Sequence, residues 1–157
     1  MKSILSEINL INISSTKGWK GFDESNDWTK SNIETIVFNF FETYDYDSYE
    51  IYSSIDIELG QSIHWINDIE NALIKKGYIS IVERKDDDYI NGFYKKISNI
   101  NYYKNYSHVS KNDIKLLSIL CMVDDYVEGS LFIHLINEQL IVYPHEDVGF
   151  GYIEIKK

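Results

Sequence analysis

Leu131–Ile155, LFIHLINEQLIVYPHEDVGFGYIEI, decides the fold. Side chains of an extended strand alternate between two faces, so Phe132, His134 and Ile136 share one face while Ile133 and Leu135 share the other. The alternation resumes at Ile141 and Tyr143 after the polar break Asn137-Glu138-Gln139, and again at Tyr152-Ile153-Glu154-Ile155. Three short runs rich in Ile, Val, Phe and Tyr, separated by turn-length breaks, predict an antiparallel meander. Pro144 is the only proline and has no N–H. It is expected to end the middle strand or to sit where that donor would face solvent. Gly149 and Gly151 are expected to give the second turn its freedom.

The chain before this meander alternates helical and extended patterns. Ile4 to Ile13 suits either a first strand or a short helix, and Lys17–Asp27 (KGWKGFDESND) reads as a polar loop with Trp19 and Phe22 as anchors. A helix is predicted over Lys30–Tyr44. Ser31 and Glu34 have capping-box spacing, and Ile33, Ile36, Val37, Phe40, Phe41 and Tyr44 form an apolar stripe. Tyr49–Leu59 reads as a strand. A second helix runs from Gly60-Gln61-Ser62 to Lys76, with Ile63, Ile66, Ile69 and Leu73 inward and Lys75-Lys76-Gly77 as its stop. Tyr78–Glu83 reads as a strand, and a further one is expected around Ile90–Ile97. Ser110 and Asp113 open a third helix, although the continuous apolar run Leu116–Met122 also suits a buried strand. The prediction is α+β: one domain over residues 1–157, an antiparallel sheet with a C-terminal three-stranded meander packed against two or three helices.

Composition narrows the function. A 157-residue chain with 44% hydrophobic residues buries a core without staples. No apolar run is long enough for a membrane span, and Ser6, Glu7 and Asn9 interrupt what would be a signal peptide's apolar region. Cys121 is the only cysteine, which leaves no internal disulfide and no multi-cysteine zinc site, and the expected location is the cytoplasm. Twenty-five acidic against fifteen basic residues give a net charge of −10, which repels nucleic acid and attracts basic partners. The same charge also serves solubility.

The histidines His64, His108, His134 and His145 lack a metal-binding spacing, and only His145-Glu146-Asp147 is dense. Cys121 lies among Leu120, Met122 and Val123, which suits an inert buried thiol. Nucleophile-elbow, phosphate-loop and HExxH motifs are absent, and Arg84 is the only arginine. No catalytic residue, metal or cofactor is therefore expected. Thirteen tyrosines, several beside acids, suit a protein-binding surface, because tyrosine adds contact area at low entropic cost. Tyrosine standing in for other aromatics in an Ile-, Lys- and Asn-rich composition is the competing explanation. The candidate contacts are His145, Glu146 and Asp147 first, then Asp124, Asp125 and Glu128, then Asp86, Asp87 and Asp88.

Tyr143-Pro144-His145-Glu146-Asp147-Val148-Gly149-Phe150-Gly151, in a short acidic chain, resembles the C-terminal hairpin of immunity proteins from bacterial polymorphic toxin systems, including contact-dependent growth inhibition. The resemblance covers the final third of the chain. It implies a protein that binds and neutralises a cognate toxin domain, often a basic nuclease, by protein–protein contact. The expected form is a monomer or weak dimer, with no nucleic-acid or membrane partner. Two other readings stay open. One is a small enzyme or ligand-binding domain with a pocket near His134 and His145. The other is an acidic nucleic-acid mimic, which would need carboxylates spaced along one face and not gathered in loops.

Overall fold

A computed structural model describes residues 4–44, 48–58, 64–82, 104–106, 109–123 and 127–155. Two 3₁₀ turns, Ile4–Glu7 and Ile13–Ser15, precede β1 (Trp19–Phe22) and α1 (Lys30–Thr43). β2 (Tyr49–Ser53), β3 (Asp56–Glu58), α2 (His64–Lys75), β4 (Ile81–Val82) and β5 (Lys104–Tyr106) follow. The chain continues through α3 (Lys111–Val123), β6 (Val127–Glu128), β7 (Leu131–Leu135), β8 (Leu140–His145) and β9 (Gly149–Glu154). The main sheet has the order β1-β9-β8-β7-β2-β5, antiparallel at every pair. A smaller sheet, β4-β3-β6, pairs β3 with β4 in parallel and with β6 antiparallel. The arrangement is α+β, and the C-terminal meander is β7-β8-β9, at the centre of the main sheet.

Both faces of that meander are buried. Ile133, Leu135, Val142 and Phe150 face the helices, where they pack with Ile33, Val37, Phe40 and Phe41 of α1 and Ile114, Leu117 and Leu120 of α3. Phe40 stacks on Phe150 with ring centroids 3.8 Å apart, joining α1 to the last strand. On the opposite face Phe132, Ile141, Tyr143 and Ile153 pack with Leu5 and Ile8. The N-terminal segment is therefore neither a strand nor a regular α-helix. It is a lid of 3₁₀ turns over the second sheet face.

Several local expectations are corrected. α1 is capped by Thr29, whose Oγ1 accepts from the Asn32 N–H, and not by Ser31 with Glu34; Glu34 instead faces Lys30 at 3.9 Å. Tyr49–Leu59 is not one strand. It breaks after Ser53, where the Ser54 N–H donates to the Ser130 carbonyl, and its halves join different sheets. Among the described residues of the Tyr78–Glu83 run the strand is Ile81–Val82, because Gly77 (φ 80°) and Tyr78 close α2, their N–H groups donating to Ile74 and Leu73. Leu116–Met122 is helical, opened by Ser110 Oγ accepting from Asp113 N–H. The Asp113 carboxylate turns away from the cap to meet Lys76 Nζ at 2.6 Å. Pro144 does not end β8. It is buried inside the strand opposite Phe150, and the β7 ladder has already stopped at Val142, so no bond to that neighbour is lost. The strand expected around Ile90–Ile97 lies outside the described residues.

The glycines of the last hairpin serve close approach and not turn freedom. Val148 takes the left-handed position of the turn, with φ 59°. A Cβ on Gly149 would stand 2.0 Å from the Asp23 carbonyl oxygen, and one on Gly151 would stand 2.0 Å from Cζ of Tyr143. Glycine is needed there because another backbone and a ring lie against the strand.

Candidate acidic–aromatic docking surface

The β8–β9 turn is tied to the loop that follows β1. Asp23 N–H donates to the Phe150 carbonyl at 3.0 Å, and Ser25 N–H donates to the Asp147 carbonyl at 2.9 Å. The loop is fixed in turn to α1: Asn32 Nδ2 donates to Ser25 Oγ at 3.1 Å and to the Asp27 carbonyl at 2.8 Å. Asp27 Oδ1 accepts from Thr29 N–H, and the Thr29 backbone and hydroxyl hold its carboxyl below the usual range.

His145 sits between the two segments. Its Nδ1 receives the Asp147 N–H at 3.1 Å, so Nδ1 is an acceptor and the ring proton is on Nε2. That Nε2–H donates to the Asp23 carbonyl at 2.7 Å. The Phe22 ring meets the imidazole edge-to-face with centroids 4.7 Å apart. On the helix side Tyr152 donates its phenol to Asp23 Oδ2 at 2.6 Å. Burial, reinforced by that bond, pushes the Tyr152 phenol well above its ordinary range. Burial raises Tyr44 and Tyr143 as well, while the bond from Trp19 Nε1 to Tyr143 opposes the latter shift.

The outer surface of this knot is acidic and aromatic. Asp23, Glu24, Asp27, Glu146 and Asp147 are exposed. Phe22, at the end of β1, is 46% exposed, and Trp28, in the loop that follows, is 53% exposed. Of the residues picked from sequence, His145, Glu146 and Asp147 are thus brought together and held. Glu128 lies in β6, in register with Asp56 of the smaller sheet. Its segment feeds β7 at Leu131, and the β7–β8 register extended by two residues places Leu131 opposite Pro144. The β6–β7 connection and the acidic turn therefore leave the main sheet at the same end. Asp86, Asp87, Asp88, Asp124 and Asp125 lie outside the described residues, as does His108.

Sequence reasoning missed Asp23, Glu24, Asp27 and Trp28, and reads Phe22 with Trp19 as anchors of a polar loop, whereas both lie in β1. The available cue was Gly149-x-Gly151, because glycines inside a strand mark the approach of another backbone. Trp19 is an anchor as expected: it packs with the second core, and its indole N–H reaches Tyr143 Oη at 2.8 Å.

His134 does not share a pocket with His145. It stands opposite Ile141, four residues along β8 from His145, which at strand rise is about 13 Å. Its Nδ1 lies 3.8 Å from Glu50 Oε2, which also accepts the Tyr52 hydroxyl. His64 is exposed on α2 beside Asp68. Among the described residues no three His, Cys, Asp or Glu side chains converge as a metal would require. Between α1 and α3 lies a shallow cleft of about 400 Å³, lined by Glu34, Phe38, Lys115 and their neighbours, without a histidine. Lys115 Nζ sits 5.5 Å over the Phe38 ring there, so the cleft's cation is already engaged. No described helix is long and apolar enough to cross a membrane.

Comparison of the chain with protein-family models, curated proteins and solved structures found no match.

Proposed function

We propose that the chain is an inhibitory binding protein that neutralises a basic toxin domain by direct contact, in the manner of the immunity proteins its C-terminal hairpin resembles. The observation that carries this reading is the exposure of Phe22, at the end of β1, and of Trp28, on the hydrogen-bonded loop that follows, together with the exposed carboxylates Asp23, Glu24, Asp27, Glu146 and Asp147. Exposed aromatics supply the anchors that dominate interface energies, and surrounding carboxylates steer a basic partner and set orientation. Because backbone bonds already fix the loop and the turn, little ordering entropy is lost on association. One partner covers about 800 Å² on its side of a typical interface, enough for the loop and turn together.

The test is co-purification of the tagged chain with the product of the gene immediately upstream, where the gene for a cognate toxin is expected. Capture of that product, with protection of toxin-exposed cells, supports the proposal. A chain that captures nothing and protects nothing refutes it.

A further inference from the structure

We propose that His145 is a pH-sensitive clamp on this surface, releasing the β8–β9 turn when its ring is protonated. The argument starts from the tautomer. A backbone N–H can only donate, so the 3.1 Å contact from Asp147 N requires a bare Nδ1. The proton is then on Nε2, where it bonds to the Asp23 carbonyl at 2.7 Å. Neutral imidazole therefore bridges the two segments using its one acceptor and its one donor. An imidazolium carries protons on both nitrogens and can keep only the Asp23 bond. Its Nδ1–H would point at the Asp147 N–H, and the ring or the turn must move.

The titratable groups on the segments packed against the ring lie in the loop after β1, in its own turn and in β9. From the loop after β1 come Asp23 and, next to it, Glu24; from its own turn come Glu146 and Asp147. From β9 comes Tyr152, whose phenol occupies Asp23 Oδ2. The Phe22 and Tyr143 rings close two further sides at 4.7 and 6.5 Å. Protonation therefore removes the amide bond from Asp147 that shapes the turn. Imidazole makes this change by taking up a second ring proton. Two consequences follow for the proposed docking role, on which this part of the inference rests. The turn carrying Glu146 and Asp147 loses its fixed shape, and a positive charge enters the patch that would meet a basic partner. Both weaken binding on acidification.

The test uses the free, full chain first. Nitrogen-15 spectra of the imidazoles at pH 7.5 report the tautomer, and amide hydrogen exchange at pH 7.5 and 5.5, corrected for the intrinsic rate, reports the turn. The expected results are an Nε2–H tautomer for His145 and loss of protection at Asp147 and Ser25 by about tenfold at the lower pH, the factor one ordinary hydrogen bond supplies. His145→Gln should abolish the pH step. An Nδ1–H tautomer, unchanged protection, or the same step in His145→Gln overturns the proposal, and the tautomer measurement stands even if the variant does not fold. The second arm measures dissociation of the co-purified partner at both pH values. Faster release at pH 5.5 in wild type but not in His145→Gln is expected, and equal acceleration in both removes His145 as the sensor. If no partner is captured while the exchange results hold, the docking reading falls and the clamp stands.

Discussion

Replacing Gly151 with alanine tests how the last hairpin is built. The new Cβ would lie 2.0 Å from Tyr143 Cζ, 2.4 Å from its Oη and 2.5 Å from Cε1. Carbon atoms settle about 3.5–4.0 Å apart, so the ring must retreat by roughly 1.5 Å. That movement strains the second core, where Tyr143 packs with Phe132, and draws Oη away from Trp19 Nε1. Overpacking costs about 1–3 kcal/mol and the lost hydrogen bond about 0.5–1.5 kcal/mol. Reduced freedom of the unfolded chain returns about 0.4–1 kcal/mol. A net loss of about 1–3 kcal/mol is expected, which lowers the urea midpoint by roughly 1 M at a slope of about 2 kcal/mol per M. Equilibrium urea unfolding of wild type, Gly151→Ala, Tyr143→Leu and the double variant measures it. In the Tyr143→Leu background, with no ring over the strand, Gly151→Ala should cost less than about 0.5 kcal/mol. A single variant as stable as wild type, or an equal cost in both backgrounds, refutes the close-approach explanation.

Ile141→Ala and Ile153→Ala should each lose about 2–5 kcal/mol in the same assay, because both are fully buried beneath the N-terminal lid; midpoints like wild type would mean that this face is not core. Gly149→Ala should push the Asp23 segment off the turn, costing about 1–3 kcal/mol and raising amide exchange at Ser25; unchanged exchange there would contradict the 2.0 Å approach. Tyr152 has a folded-state pKa raised above the unfolded value of about 10, so its contribution is whole below pH 10 and is lost as pH rises from there toward the folded value. The urea midpoint should accordingly fall between pH 9.5 and 11, and fall less in Tyr152→Phe; equal alkaline slopes would remove Tyr152 from that loss.

The strands of the meander were legible because each is a run of five or six residues, rich in Ile, Val, Leu, Phe or Tyr, between turn-length polar breaks. α1 and α3 were legible for the corresponding reason at helical period; the continuous run Leu116–Met122 suits a strand equally well, and only the Ser110–Asp113 cap spacing favours the helix. The lid was not legible. Its Ile4–Ile13 apolar residues carry no clean period, and what makes it a layer is a sheet face made by Tyr52 and by Phe132, Ile141, Tyr143 and Ile153, far along the chain. The same limit hid half the candidate site. Glu146 and Asp147 stood out as an acidic turn between strands, whereas Asp23 and Ser25 join them through backbone bonds that no side-chain pattern announces. Phe22 reads from sequence as a loop anchor with Trp19; it instead ends β1, where His145 and Trp19 meet its ring and nearly half of the residue stays exposed.

Whether the surface around Phe22 and Trp28 receives a protein partner is tested most directly by one comparative capture. Wild type and the variant Phe22→Ala/Trp28→Ala/Glu146→Gln/Asp147→Asn, matched for urea midpoint, are each immobilised and exposed to the upstream gene product at low and physiological salt. Wild type should hold it with association that slows as salt rises. The variant should bind at least about a hundredfold more weakly, because two aromatic anchors and the steering charge are gone together. Equal capture by the folded variant, or binding without salt dependence, would contradict the assignment of this surface.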